Sequence, residues 1–301
     1  MRHKEMFGRA AEPDPRSAAP PNRTPHRMRD GHRREYAAER ERGSTISFPE
    51  RCAGALTDIG VYGVVSYRDL AEARFGGHPY TTRRAVNAWI REGLVTETQA
   101  TGRRGNPFKV LSLTRKGVAE ARKLAARRGM DPSQRIGFVH VRPAQAAHDA
   151  ALYRVCGKER HRLRERGATV RRIRLDTELK SAVARRTEAV RAKDGGRTAD
   201  AEKHRATGEL GLPLDNSGKV LYPDAQIEYT DAEGRTGRVN VEVASGDYRE
   251  RSVLAKAAAG FRVHANGPAA ASLLQRIGLG GGDDGSWLGG PNDRDPATVE
   301  L

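Results

Sequence analysis

Between residues 83 and 113 the apolar residues change their spacing once, and that change limits what the chain can fold into. Val86, Trp89 and Ile90 stand at i, i+3 and i+4, the interval that gathers side chains on one face of a helix. Gly93 ends the pattern. Residues 94–99 and 108–113 then read as two strands, with Gly102-Arg103-Arg104-Gly105-Asn106-Pro107 as the turn between them. The spacing predicts a helix whose apolar triplet faces inward and leaves Arg83, Arg84, Asn87 and Arg91 exposed. Arg103 and Arg104 fall at the tip of the hairpin, and Lys109 lies on its second strand.

Two further helices are predicted before this unit. One covers 50–59, with Leu56 and Ile59 inward and Gly60 and Gly63 as breakers. The other covers 67–74. Ser66, followed three residues later by Asp69, resembles a capping box at its start. Leu70 and Ala71 face inward, and Gly76-Gly77 closes the helix. Thr81 or Thr82 is the expected cap of the third helix, and Thr114 of a fourth that runs to residue 128.

The order helix, helix, helix, hairpin, helix resembles that of winged helix-turn-helix proteins. The step Glu92-Gly93-Leu94-Val95 into a Gly/Arg-rich wing, and Leu113-Thr114-Arg115-Lys116-Gly117 into the last helix, look like many bacterial members of that class. The resemblance implies a DNA-binding domain over 46–130. Its third helix would enter the major groove, where Arg reads guanine and Asn reads adenine. DNA-contacting residues would then be Arg83, Arg84, Asn87, Arg91, Arg103, Arg104 and Lys109. Charge agrees with this. The chain holds 54 Lys and Arg against 38 Asp and Glu, a net of +16. Residues 51–135 alone hold 16 against 7, so the excess is concentrated where the helices and hairpin lie. A GC-rich genome accounts for Arg over Lys but not for the shortage of acidic residues. Such a surface attracts phosphates and releases their counterions.

Residues 1–45 mix Pro, Arg, His and Glu without apolar periodicity and are expected to form a disordered basic arm. Asp131-Pro132-Ser133 reads as a linker. Residues 136–277 read as an α/β domain, within which 184–216 form a polar insertion, either a loop or a loose helix. Residues 278–301 are Gly-rich and expected to be a flexible tail. The fold class is therefore α+β with disordered termini. No run of 18 apolar residues and no signal-peptide core is present, which points to a cytoplasmic protein without a membrane partner. Cys52 and Cys156 are the only cysteines, too few for a disulfide framework.

In the second half a helix is predicted over 146–166, with His148 and Asp149 near its start. Strands follow at 170–175, 219–229 and 238–244, then a helix at 248–259 and a strand at 261–264. Glu242 lies opposite Val241 and Val243 and shares a face with Asn240 and Ala244. His148-Asp149 alone suggests a metal phosphohydrolase, but His140 and His161 match no ligand spacing. The bland reading is an Asp complementing a helix dipole. Gly280-Gly281-Gly282 has neither the strand before it nor the Lys-Ser/Thr after it that a phosphate loop needs.

The order αβββαβ, with Pro223-Asp224 and then Glu242 eighteen residues after the Asp, resembles the PD-(D/E)XK nuclease superfamily. The resemblance implies a restriction-endonuclease-like domain in which Asp224 and Glu242 hold Mg²⁺. The family's lysine position is Ala244 here, and Lys256 on the following helix is the candidate replacement. The whole layout over about 50–265 is similar to the replication-relaxation family of bacterial mobile elements, carried mostly by VEVASGDYRERSVLAKAAAGF at 241–261. That similarity implies a role in replication, transfer or control of a plasmid or integrated element. Three readings stay open: a DNA-binding protein, a Mg²⁺-dependent DNA endonuclease with Asp224, Glu242 and Lys256 at its centre, and a non-catalytic scaffold of a relaxosome-like assembly. Expected partners are double-stranded DNA and replication or relaxase proteins. The oligomeric state is not legible.

Overall fold

The computed structural model describes residues 47–102, 105–279 and 298–299. The expected basic arm, both hairpin-tip residues Arg103 and Arg104, and most of the expected flexible tail lie outside the described residues. The described residues form a mixed α+β structure within one compact unit, Ile46–Leu301. In chain order the elements are α1 Phe48–Tyr62, β1 Val65–Ser66, α2 Tyr67–Phe75, α3 Pro79–Arg91, β2 Val95–Thr101, β3 Pro107–Leu113 and α4 Arg115–Arg127. These are followed by α5 Ala146–Glu165, β4 Thr169–Leu175, α6 Asp176–Asp194, α7 Ala199–Glu209, β5 Ala225–Thr230 and β6 Thr236–Ala244. The last are α8 Glu250–Ala258, β7 Arg262–Ala265, α9 Pro268–Arg276 and β8 Thr298–Val299. One sheet has the order β1-β3-β2 and is antiparallel. The other has the order β4-β5-β6-β7-β8, with β6 and β7 parallel and the other pairs antiparallel. β8 gives β7 a partner on its open side, where a flexible tail was expected.

Local chemistry accounts for the first helices. Ser47 and Glu50 cap α1 reciprocally: the Ser47 hydroxyl accepts from the Glu50 amide, and the Ser47 amide donates to Glu50 Oε2 at 2.9 Å. α1 runs on to Tyr62, so Gly60 does not break it as expected. A Cβ at Gly60 would lie 2.5 Å from Ile136 Cγ2 and 2.9 Å from Leu113 Cδ1, so the missing side chain serves close packing. Ser66 caps α2 through the Asp69 amide at 3.0 Å, as the sequence predicts.

α3 departs from expectation at its start. It opens at Pro79 behind His78, neither Thr81 nor Thr82 caps it, and Thr82 donates its hydroxyl back to the His78 carbonyl at 2.9 Å. Its core stripe is Thr82, Ala85, Val86 and Trp89, at i, i+3, i+4 and i+7. Ile90 lies at the edge of that stripe and is 39% exposed rather than buried. Thr114 caps α4 through the Gly117 amide at 3.0 Å. A Cβ at Gly117 would sit 1.9 Å from the Leu94 carbonyl oxygen, so only glycine lets α4 pass this close to the hairpin.

α5 lies between the helices and the second sheet. One cluster of buried side chains runs from Ala55 to Val243 and includes Leu152, Tyr153, Val155 and Cys156 of α5. Two buried polar contacts lock α5 to the first helices. Arg74 donates to both oxygens of Asp58, at 2.6 and 2.7 Å, and the Tyr153 hydroxyl donates to Asp58 Oδ2 at 2.8 Å. Arg154 donates to Asp69 Oδ2 at 2.9 Å, beside the Ser66 hydroxyl. Burial works against the Asp58 charge, yet Arg74 and Tyr153 hold its carboxyl below the usual range.

The far side of the second sheet is also covered. Ala244, Val263 and Ala265 pack with Val253 and Ala257 of α8 and with Ala270 and Leu274 of α9. Residues 184–216, expected as a loop or a loose helix, are mostly helical. The helical hairpin begins earlier, at Asp176, and α6 and α7 enclose a small core of Leu179, Val183, Ala206 and Leu212. Arg186 ties the two helices through Glu202 at 2.7 Å and Glu209 at 2.5 Å.

Tyr153→Phe leaves Asp58 with one donor fewer and is expected to lower unfolding free energy by about 1–2 kcal/mol. Asp58→Ala strands the Arg74 guanidinium in the interior and is expected to cost about 3–5 kcal/mol. Urea unfolding followed by circular dichroism measures both, and equal small losses would contradict the network.

Candidate functional site

Two groups of residues carry chemistry, an exposed face of α3 and a buried cluster at the second sheet. On α3, Tyr80, Arg83, Arg84, Asn87 and Arg91 are all exposed. Their spacing is i, i+3, i+4, i+7 and i+11, which is one continuous stripe opposite the buried one. Tyr80 is 80% exposed and was not singled out from the sequence, although its helical phase with Arg83 and Arg84 was available. The Arg84 guanidinium sits 5.8 Å from the centre of the Phe48 ring, which holds it near the helix. Lys109 is exposed on β3 and pairs with Glu97 of β2 at 2.6 Å. An exposed pair of this kind is worth about 0–1 kcal/mol, so Lys109 remains available to another anion.

The second group is drawn from four elements. Asp224 lies immediately before β5, Glu242 lies on β6, Lys256 on α8 and His148 in the first turn of α5. Asp224 Oδ2 accepts from the Val243 amide at 2.8 Å and is 3.2 Å from His148 Nε2. His148 Nδ1 is 3.5 Å from Asp149 Oδ1. Lys256 Nζ donates to Glu242 Oε1 at 2.5 Å. Asp224, Glu242 and Lys256 are thus brought near one another, an arrangement that the order of the residues alone leaves open. The alternation reading left the Glu242 face only partly polar, and in fact Glu242 is completely buried beneath α8.

Charge in this cluster is set by burial and by neighbours. Burial, then the charge of Asp224, pushes the Glu242 carboxyl up to about 7 despite Lys256 and the nearby Tyr248 hydroxyl. Burial also disfavours the Asp224 charge, but His148, the Val243 amide and Lys256 hold it below the usual range. Burial opposes protonation of His148, yet Asp149 and Asp224 outweigh it and raise the imidazole to about 10. His148 and Tyr248 were missed as members of the site. Sequence spacing does not connect His148 with Asp224, because the two are 76 residues apart.

Among the described residues no group of three or more His, Cys, Asp and Glu is disposed to hold a metal ion. Glu242 Oε2 is nonetheless buried without a hydrogen-bond partner of ordinary geometry. Together with Asp224 it offers hard oxygen donors that fit Mg²⁺, an ion content with one or two carboxylates plus waters and a substrate phosphate. No helix among the described residues is long and apolar enough to cross a membrane. No protein-family model matches the chain, and no curated protein matches it.

A raised imidazole value means that the folded state holds its proton more tightly than the unfolded chain. The His148 contribution to stability is therefore complete below 6.5 and is lost as pH rises through about 10. In metal-free buffer the His148 ring resonances should stay in the protonated position at pH 8, and Asp224→Asn should bring their midpoint down. A midpoint near 6.5 in the native chain would contradict the geometry.

Proposed function

We propose that this chain binds double-stranded DNA through the exposed stripe of α3 and carries a nuclease-like site on its second sheet. The single observation behind the binding reading is that Arg83, Arg84, Asn87 and Arg91 share one exposed helix face while Thr82, Ala85, Val86 and Trp89 fill the opposite one. The succession α1, α2, α3, β2–β3, α4, with β1 completing the small sheet, supports a winged helix in which α3 enters the major groove. Asn87 and the arginines then face base edges, and Lys109 faces the backbone. The similarity to replication-relaxation proteins supports service to a plasmid or integrated element, in its replication, transfer or control.

A second reading is Mg²⁺-dependent cleavage of a phosphodiester. It is favoured by the meeting of Asp224, Glu242 and Lys256, and by the αβββαβ order of α5, β4, β5, β6, α8 and β7. Asp224 and Glu242 would hold the ion, which supplies a polarised water and charge neutralisation at the phosphate. Lys256 holds Glu242 in place, and His148 orients Asp224. The helix position of Lys256 gives this cluster the cation that Ala244 lacks.

Arg83→Ala and Arg84→Ala should each weaken duplex binding at every sequence and flatten the dependence of log K on log salt by about one unit. Asn87→Ala should instead relax base preference. Unchanged salt slopes in both arginine variants would remove α3 from the interface and favour the scaffold reading. For cleavage, nicking of supercoiled plasmid with Mg²⁺ should vanish in Asp224→Asn while duplex binding persists. Absence of nicking in the native chain leaves binding alone.

A further inference from the structure

A cleft of about 620 Å³ opens beside β4, away from the residues discussed so far. Its lining includes Arg135 from the segment before α5, Arg172 of β4, and Glu178, Ser181 and Arg185 of α6. Arg174 stands two residues after Arg172, on the same face of β4, and lines the adjoining part of the cleft with Arg172 and Arg185. Glu178, Ser181 and Arg185 are spaced i, i+3 and i+7, so α6 presents them along one side. The chain passes from β4 directly into α6, and that connection places the two walls together.

The cleft is short of acceptors. Arg172 pairs with Glu178, and Arg174 lies 3.2 Å from Glu228, each through Nη2. The Nε of each of these arginines is buried without a hydrogen-bond partner. Buried donors are rarely left in this state, and each one costs free energy until an acceptor arrives. Arg135 and Arg185 are exposed and have no acidic partner among the described residues. Burial, with the charge of Arg172 beside it, holds the Arg174 guanidinium below its usual value despite Glu228. Arginines arriving from three segments suit an anion with several oxygens pointing in different directions, because each guanidinium presents N–H donors from its own side.

We propose that this cleft is a phosphate-binding site, distinct from α3 and from the Asp224–Glu242 cluster. Arg172 and Arg174 form its floor and Arg135 and Arg185 its rim. The phosphate comes either from a sugar-phosphate backbone or from a free phosphorylated compound, and the recognition chemistry is the same for both.

The test uses the full chain with nitrogen-15 in its arginine side chains. The Nε–H resonances of Arg172 and Arg174 are assigned with Arg172→Lys and Arg174→Lys. Inorganic phosphate and a DNA duplex are titrated separately, with chloride at matched ionic strength as reference. Phosphate should shift both resonances, and the Arg135→Ala/Arg185→Ala variant, altered only at exposed positions, should weaken that response about tenfold. A duplex response as well assigns the backbone as the source, and a response to phosphate alone assigns a free compound. The site is overturned if neither probe moves the resonances more than chloride does, or if the rim variant responds like the native chain. Arg83→Ala should leave the phosphate titration unchanged, so this site and the α3 interface stand or fall separately.

Discussion

The Asp58 carboxylate accepts three hydrogen bonds in a setting almost closed to water, two from Arg74 of α2 and one from Tyr153 of α5. A buried carboxylate is tolerable only when its partners arrive in fixed positions. That requirement sets α1, α2 and α5 against one another. α3 then packs on α2 through Phe75 and Trp89, whose rings lie 6.4 Å apart. α5 in turn packs against β4, β5 and β6 of the second sheet and sets His148 against Asp224. The exposed stripe of α3 and the buried cluster on the second sheet are therefore parts of one packed unit.

Much of the first half was legible because its signals are local. Ser66 and Thr114 cap the helices that follow them, Gly93 ends α3, and the strand read at 108–113 becomes β3. The exposure of Arg83, Arg84, Asn87 and Arg91 followed from helical phase alone. What escaped depends on residues distant in sequence. Gly60 reads as a breaker until Ile136 is seen packed on it. α6 and α7 present few apolar residues, so their helical phase is faint amid alternating charge, and the helices are held by Leu179, Val183 and the Arg186 ion pairs. α9 went unread although Pro268, Leu273 and Leu274 mark it.

The buried cluster was legible as a set of positions and not as an environment. Asp224, Glu242 and Lys256 were identified from their order and from the resemblance that order carries. The sequence could not show that α8 seals Glu242 from solvent or that His148 closes on Asp224, since both depend on how the layers stack. Those contacts change the chemistry of the site. Glu242 is pushed up to about 7, while Asp224 is held ionised against a charged imidazole. Two carboxylates with separated proton affinities are suited to different tasks at one pH.

Photocrosslinking tests the proposed contact between DNA and the α3 stripe directly. A photoreactive phenylalanine analogue at position 87, on α3, should crosslink to a DNA duplex on irradiation. The same analogue at position 233, in the exposed turn between β5 and β6, should not. Crosslinking from position 233 with none from position 87 would contradict the account.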